Sequence, residues 1–149
     1  MTTYSENKKA YYDYEILEKF EAGLVLIGQE VKSIKTNRIN LAGSYVVFRD
    51  LEPYLIGAKI PAWQPKNAPA DYNPERIRKL LLNKREINYL IGKSNERGFS
   101  LIPLKIYNKN GRLKLELGLV KGKKKYDKKE KIKRKDIERD TKRELSTRE

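Results

Sequence analysis

The chain has 149 residues and contains no cysteine and no histidine. These two absences remove thiol nucleophiles, disulfides, zinc sites of the Cys/His type and every Ser-His or Cys-His catalytic pairing. An enzyme built on this chain would have to work with carboxylates, lysines or tyrosines. The acids are scattered and no glycine-rich phosphate loop follows a strand, so no catalytic residue, metal site or cofactor is expected. No apolar run is long enough to span a bilayer, and no apolar stretch preceded by positive charge stands at the N-terminus. The expected compartment is the cytoplasm, with no membrane partner.

What is abundant is positive charge. Lys and Arg number 34 against 20 Asp and Glu, a net charge of +14. Residues 121–149 hold 14 of those cations and 7 of those acids, with only Tyr126, Ile132, Ile137 and Leu145 as sizeable apolar side chains. Such a segment buries no core of its own. Evenly spread cations would merely keep a surface hydrated, but half of the excess charge sits in this one arm. A dense cationic strand gains free energy by displacing counterions condensed on phosphates. Residues 1–120 are read as one domain, long enough for a self-sufficient core. Residues 121–149 are read as a basic tail.

Along the chain, residues 1–10 are polar and expected to be loose. Tyr12, Tyr14 and Ile16, then Phe20, Ala22, Leu24 and Leu26, keep a period of two that predicts one or two strands bent near Gly23. Val31 and Ile34 in GQEVKSIKTN predict a short helix with Lys32 and Lys35 on its other face. Strands are expected at 44–49 and 54–60 around a turn at 50–53. Residues 61–75 carry four prolines and read as a long ordered loop or a mobile excursion, with the lone Trp63 read as a plug on the core's edge ahead of a binding residue. Asn83 with Glu86 has capping-box spacing for a helix reaching about Glu96, Gly98 lying beyond its end. Asn110-Gly111 predicts a tight hairpin whose Leu113, Leu115, Leu117 and Leu119 share a face, and Pro103 predicts an edge or a bulge.

Strands dominate, the helices are short, and no βαβ alternation or internal repeat appears. The expected fold is therefore mainly β, a small antiparallel barrel with a few short helices packed outside. Such barrels bind RNA through an exposed strand face, with aromatics for stacking and Lys/Arg for phosphates. Ten of the fourteen aromatics are tyrosine. Tyr45, Tyr54 and Tyr107 are read as half-buried strand residues rather than stacking platforms.

The segments NKKAYYDYEI, FEAGLVLIGQEVKSIK, NLAGSYV, RKLLLNKREI and GLVKGKKKYDKK, in this order and spacing, closely resemble the small protein B family. These are the SsrA-binding proteins, partners of tmRNA in bacterial trans-translation. The resemblance runs from Asn7 to Lys129. It implies an OB-like barrel that binds the tRNA-like domain of tmRNA and travels with it to stalled ribosomes, occupying the space of a tRNA anticodon arm. Asn7, Tyr14, Glu21, Leu81, Asn83 and Lys114 match family positions of the tmRNA-binding surface, and Lys32 lies in the matching EVKS motif. Gly122, Lys123, Lys124, Tyr126, Asp127, Lys128 and Lys129 match the tail motif of the ribosomal decoding region and mRNA path. The chain is expected to be a monomer when free, with its tail disordered when free and helical on the ribosome.

Two departures stand out. Where the family often has Arg-His before Asp-Tyr, this chain has Tyr11-Tyr12, and where the tail motif has His it has Tyr126. The tail motif ends in Lys129 rather than Arg, which loses a bidentate phosphate grip. As to roles, Lys32 and Lys114 suit phosphates, Asn7 and Asn83 suit base edges or 2′-hydroxyls, and Tyr14 suits stacking. Glu21 requires an exocyclic amine or hydroxyl to meet it, or a pairing that orients a lysine. Leu81 is either a wedge against an unstacked base or a core residue. Asn83 is a helix cap, an RNA contact, or both. Competing functions are a constitutive structural protein of the ribosome and an enzyme acting on RNA.

Overall fold

In the computed structural model, which describes residues 2–122, the chain runs β1 (Thr2–Glu6), α1 (Lys8–Asp13), β2 (Tyr14–Leu24), α2 (Gly28–Lys35), β3 (Tyr45–Arg49) and β4 (Glu52–Ile56). A single 3-10 turn at Pro65–Asn67 precedes β5 (Arg78–Leu81), α3 (Lys84–Ser94), β6 (Phe99–Lys109) and β7 (Arg112–Gly122). Every pairing is antiparallel and the strand order is β1-β6-β7-β2-β5-β4-β3. The sheet curls until β3 lies beside β6, which gives the small barrel expected.

The long hairpin β6–β7 follows from its turn. Asn110 and Gly111 both have positive φ, 52° and 79°, the twist that a two-residue connection needs, and Asn108 Oδ1 accepts from the Gly111 amide at 3.0 Å. Beyond the turn, Leu115, Leu117 and Leu119 are fully buried and Leu113 packs against the same cluster. At the second hairpin Asp50 and Leu51 take φ of 50° and 66°. The turn is thus two residues long rather than four, Pro53 lies inside β4, and the strand stops at Ile56 because Gly57 turns the chain with φ 86°.

Two β-bulges decide which side chains reach the core. In β6 the register slips between Pro103 and Lys105, so Leu101 and Ile106, five residues apart, both face the central cluster. An extra residue in one strand inverts the alternation beyond it. Of the two readings of Pro103 the bulge holds; β6 is an interior strand between β1 and β7. In β2 the slip between Ile16 and Glu18 has the opposite consequence for the sequence reading. Tyr14 and Ile16 pack into a second cluster with Ala10, Ile102, Leu104 and Val120, whereas Phe20, Ala22 and Leu24 face the main core. The continuous period of two from Tyr12 onward therefore spans two faces, and Tyr12 itself is in α1.

Two further expectations are corrected, and one strand appears that no expectation covered. The N-terminus is not loose: β1 pairs with β6 from Thr2↔Asn108 to Glu6↔Lys105, and α1 lays Ala10 on the second cluster. Residues 78–81 form strand β5, too short to show alternation. Finally, β7 is still paired at Gly122, opposite Tyr14, so its ladder runs past the boundary expected at 120. Lys123, Lys124, Tyr126, Asp127, Lys128 and Lys129, and the helix expected for the tail, lie outside the described residues.

A buried ion cluster joins α2 to β5. Glu30, fully buried, accepts from the Ile27 amide and from the guanidinium groups of Arg76 and Arg78. Arg78, also fully buried, donates to the carbonyls of Ala58 and Pro74. The Tyr72 hydroxyl lies 2.5 Å from the Ile60 carbonyl oxygen and 3.1 Å from Glu30 Oε2. These hydrogen bonds tie the far end of the proline-rich segment to α2 and to the carbonyl of Ile60.

Candidate nucleic-acid interface

At Gly23, strand β2 changes neighbours. The glycine pairs with Lys114 of β7 on one side and Leu81 of β5 on the other, and residues paired in this way share a face. At about 4.8 Å between strands, Lys114 and Leu81 stand roughly 10 Å apart across β2. Glu21, two residues back, projects from the same outer face. A Cβ on Gly23 would sit 3.3 Å from Leu81 Cβ, so the bare glycine is what lets the leucine lean over β2. Leu81 is 51% exposed while Leu80 is 1% exposed, so the leucine of the core is Leu80 and Leu81 is a platform on the surface. Two residues on, Asn83 caps α3, its Oδ1 accepting from the Glu86 amide at 2.8 Å, and the side chain remains exposed.

Glu21 makes the lysine pairing that was one of its expected alternatives, with partners the sequence did not name. The Tyr107 hydroxyl donates to its Oε1 at 2.5 Å, and Lys109 Nζ lies 3.3 and 3.4 Å from its two oxygens. The Tyr107 hydrogen bond, helped by Lys109 and Lys114 and opposed by desolvation, holds the Glu21 carboxyl below its ordinary value of 4.5. Burial first, then the Glu21 hydrogen bond and charge, push Tyr107 above its ordinary value of 10.0. At neutral pH the pair is an anion held by a neutral donor and a lysine. Tyr107 is 4% exposed, more buried than the half-buried strand residue expected; Tyr54 is half-buried and Tyr45 is 46% exposed. Register alone would have put Tyr107 opposite Lys114, but its outward face depends on the Pro103 bulge.

The other predicted residues lie apart from this group. Asn7 is buried, and its Nδ2 donates to the carbonyls of Pro103 at 3.0 Å and Leu41 at 3.5 Å, tying α1 to the barrel. Tyr14 begins β2, seven residues and roughly 23 Å of strand from Glu21. Lys32 is exposed on α2, its Nζ 4.8 Å from the centre of the Trp63 ring. Trp63 belongs to neither core cluster and is not the plug expected. The structure therefore gathers Glu21, Leu81, Asn83 and Lys114, adds Tyr107 and Lys109, leaves Asn7 and Tyr14 elsewhere, and sets Lys32 on α2 beside Trp63. Among the described residues no group of three or more His, Cys, Asp and Glu is placed to hold a metal ion, and no helix is long and apolar enough to cross a membrane.

Fold and face together define a small OB-like barrel with helices outside and a lysine-bearing sheet face arranged around one carboxylate. The chain belongs to the SmpB protein family, whose model matches residues 4–147. It is 54% identical over 138 residues to the SsrA-binding protein of Syntrophobacter fumaroxidans, covering 91% of this chain and 83% of that one. It is 48% identical over 145 residues to the SsrA-binding protein of Geobacillus kaustophilus, covering 97% and 93%. A solved structure described as "tmRNA-SmpB: a journey to the center of the bacterial ribosome" contains a similar chain, with a TM-score of 0.67 and 46% identity over 80% of this chain and 84% of that chain.

Proposed function

We propose that this chain binds the tRNA-like domain of tmRNA (SsrA RNA) and delivers it to stalled ribosomes for trans-translation, acting as an RNA-binding protein rather than an enzyme, in the cytoplasm. The observation that carries the reading is the convergence of Glu21, Leu81 and Lys114 around Gly23. Lys114 and Lys109 neutralise phosphates, and Leu81 supports an unstacked base. Asn83 keeps its amide donors for a base edge or a 2′-hydroxyl while its Oδ1 caps α3. Glu21 accepts from an exocyclic amine or hydroxyl with the oxygen lone pairs that Tyr107 and Lys109 leave open.

Asn7 contributes indirectly, by holding α1 against β6, and Tyr14 stands at the end of the barrel from which the tail departs. Gly122, Lys123, Lys124, Tyr126, Asp127, Lys128 and Lys129 enter the decoding region and mRNA path of the small subunit, with Tyr126 stacking on an exposed rRNA base. Sequencing the RNA crosslinked to the chain tests the whole reading. One discrete RNA with a tRNA-like end is expected; bulk rRNA alone would instead make the chain a constitutive ribosomal component.

A further inference from the structure

Trp63 is the only tryptophan of the chain, and it stands half-buried in a loop, outside both core clusters. A ring of this size left partly in water forgoes hydrophobic stabilisation that a core position would have kept. Its loop is nonetheless firmly framed. The Gln64 amide donates to Gln29 Oε1 at 2.7 Å, Arg38 Nη1 donates to the Trp63 carbonyl at 3.4 Å, and the Ile60 amide donates to the Pro74 carbonyl at 2.9 Å. The loop's far end is fixed by Tyr72, Arg76 and Arg78 on Glu30. The indole is thus presented from a rigid frame, which limits the ordering cost of binding.

Cations lie against it and follow it in the sequence. Lys32 has its ammonium 4.8 Å from the ring centre, Lys35 and Arg38 follow on the exposed side of α2 and just beyond it, and Lys66 is three residues further along the loop. The one acid of α2, Glu30, is buried and turned inward to two arginines, so it offers this face no negative charge. The loop's own acids, Asp71 and Glu75, come after the ring, near the Tyr72 anchor.

We propose that this face is a second RNA subsite, in which Trp63 stacks on an unpaired base and Lys32, Lys35, Arg38 and Lys66 hold the flanking phosphates. An acidic peptide would satisfy the cations but leave the flat ring unmatched, whereas a nucleotide supplies a planar base and a phosphate at once. Lys32 is placed for an exchange: its flexible stem lets the ammonium leave the ring for a phosphate as the base takes its place. An exposed cation–π contact is weaker than base stacking on an indole, so the exchange runs toward the complex. The identity of the RNA rests on the function proposed above, but the residues lie on α2 and its partner loop and include none of those grouped around Gly23.

Because Trp63 is the only tryptophan, its fluorescence in the full chain reports on this place alone. Titration with the tRNA-like domain of tmRNA is expected to quench it, saturating with the same isotherm as binding followed on labelled RNA. Trp63→Phe should keep most of the affinity, and Trp63→Leu should weaken it about 5- to 150-fold, the range for loss of one stacked base, with an unchanged circular dichroism spectrum. Lys32→Gln and Arg38→Gln should each lower the slope of log affinity against log salt by about 0.7. Tight binding with unchanged Trp63 fluorescence, or a Trp63→Leu chain that binds like the parent, would overturn the subsite and leave the proposed function standing. Quenching by poly-glutamate but not by RNA would overturn it in favour of a protein partner. Failure of the full chain to bind the tRNA-like RNA at all would sink the functional reading and this subsite with it.

Discussion

At Leu81 a single step along a strand separates the buried core from the exposed face. Leu80 is buried and Leu81 is exposed over Gly23, so truncating Leu81 removes little that the fold uses. Leu81→Ala is expected to change stability by less than about 0.5 kcal/mol, as surface substitutions do, while weakening specific RNA binding with an almost unchanged salt slope. Denaturant unfolding and binding titrations across salt concentrations check the two halves separately. A large stability loss would return Leu81 to the core. Tyr107 tests the other side of the same face. Its hydroxyl is the main influence holding the Glu21 carboxyl low, so Tyr107→Phe should raise that carboxyl back toward its ordinary 4.5, visible in an NMR pH titration of Glu21. An unmoved Glu21 titration would mean that Lys109 and Lys114 hold the carboxylate by themselves.

Among the elements, α2 and β5 depend on the Glu30 cluster. A buried ion pair stripped of one partner leaves an uncompensated charge, and Arg78 is fully buried, so Glu30→Gln is expected to cost about 3 to 5 kcal/mol in urea unfolding at neutral pH. The cluster also sets an acid limit. Burial raises the Glu30 pKa, but the Arg76 hydrogen bond, the Ile27 amide and Arg78 outweigh it, leaving the carboxyl below its ordinary 4.5. A carboxyl depressed in the folded state contributes stability above its unfolded value and loses it as pH falls through the folded value. Glu21 and Glu52 are shifted the same way. The urea midpoint should therefore fall as the pH drops below about 4.5, and Glu30→Gln should flatten that fall. An identical acid profile in the variant would show that other carboxylates set it.

On the scale of the whole molecule, the proposed function gives the body and the tail separable tasks. β7 pairs to its last described residue, Gly122, with both Lys121 and Gly122 held across the sheet. A chain ending at Gly122 keeps every ladder of the barrel and loses 13 Lys/Arg and 7 Asp/Glu. It should melt cooperatively like the full chain and retain most affinity for the tRNA-like RNA at moderate salt, while failing to rescue stalled ribosomes. Ending the chain before Lys121 should instead destabilise it, because the last pairings of β7 with β2 and β6 are removed. Loss of RNA binding on truncation at Gly122 would show that the tail supplies affinity for tmRNA rather than access to the ribosome.

Local chemistry was enough to announce several features from residues alone. Two adjacent residues that tolerate positive φ make the Asn110-Gly111 turn, an amide oxygen three residues ahead of a helical amide makes the Asn83 cap, and alternating leucines make one face of β7. The family resemblance likewise carried Glu21, Leu81 and Lys114 into one proposed surface before their adjacency was visible. What remained hidden depends on contacts between distant segments. β1 is mostly polar and β5 has only four residues, so neither shows an alternation, and both exist because β6, β2 and β4 offer them ladders. The bulges in β2 and β6 reverse which residues face inward; Pro103 marked the one in β6 as one of two alternatives, but nothing in the alternating pattern of β2 marks the residue at which its reversal occurs. The partners of Glu21 lie 86 and 88 residues away, and those of Glu30 lie 46 and 48 residues away. Side-chain identity determined which groups could bond, turn or stack; only the closed sheet decided which of them meet, because that choice is made by register and curvature over the whole barrel.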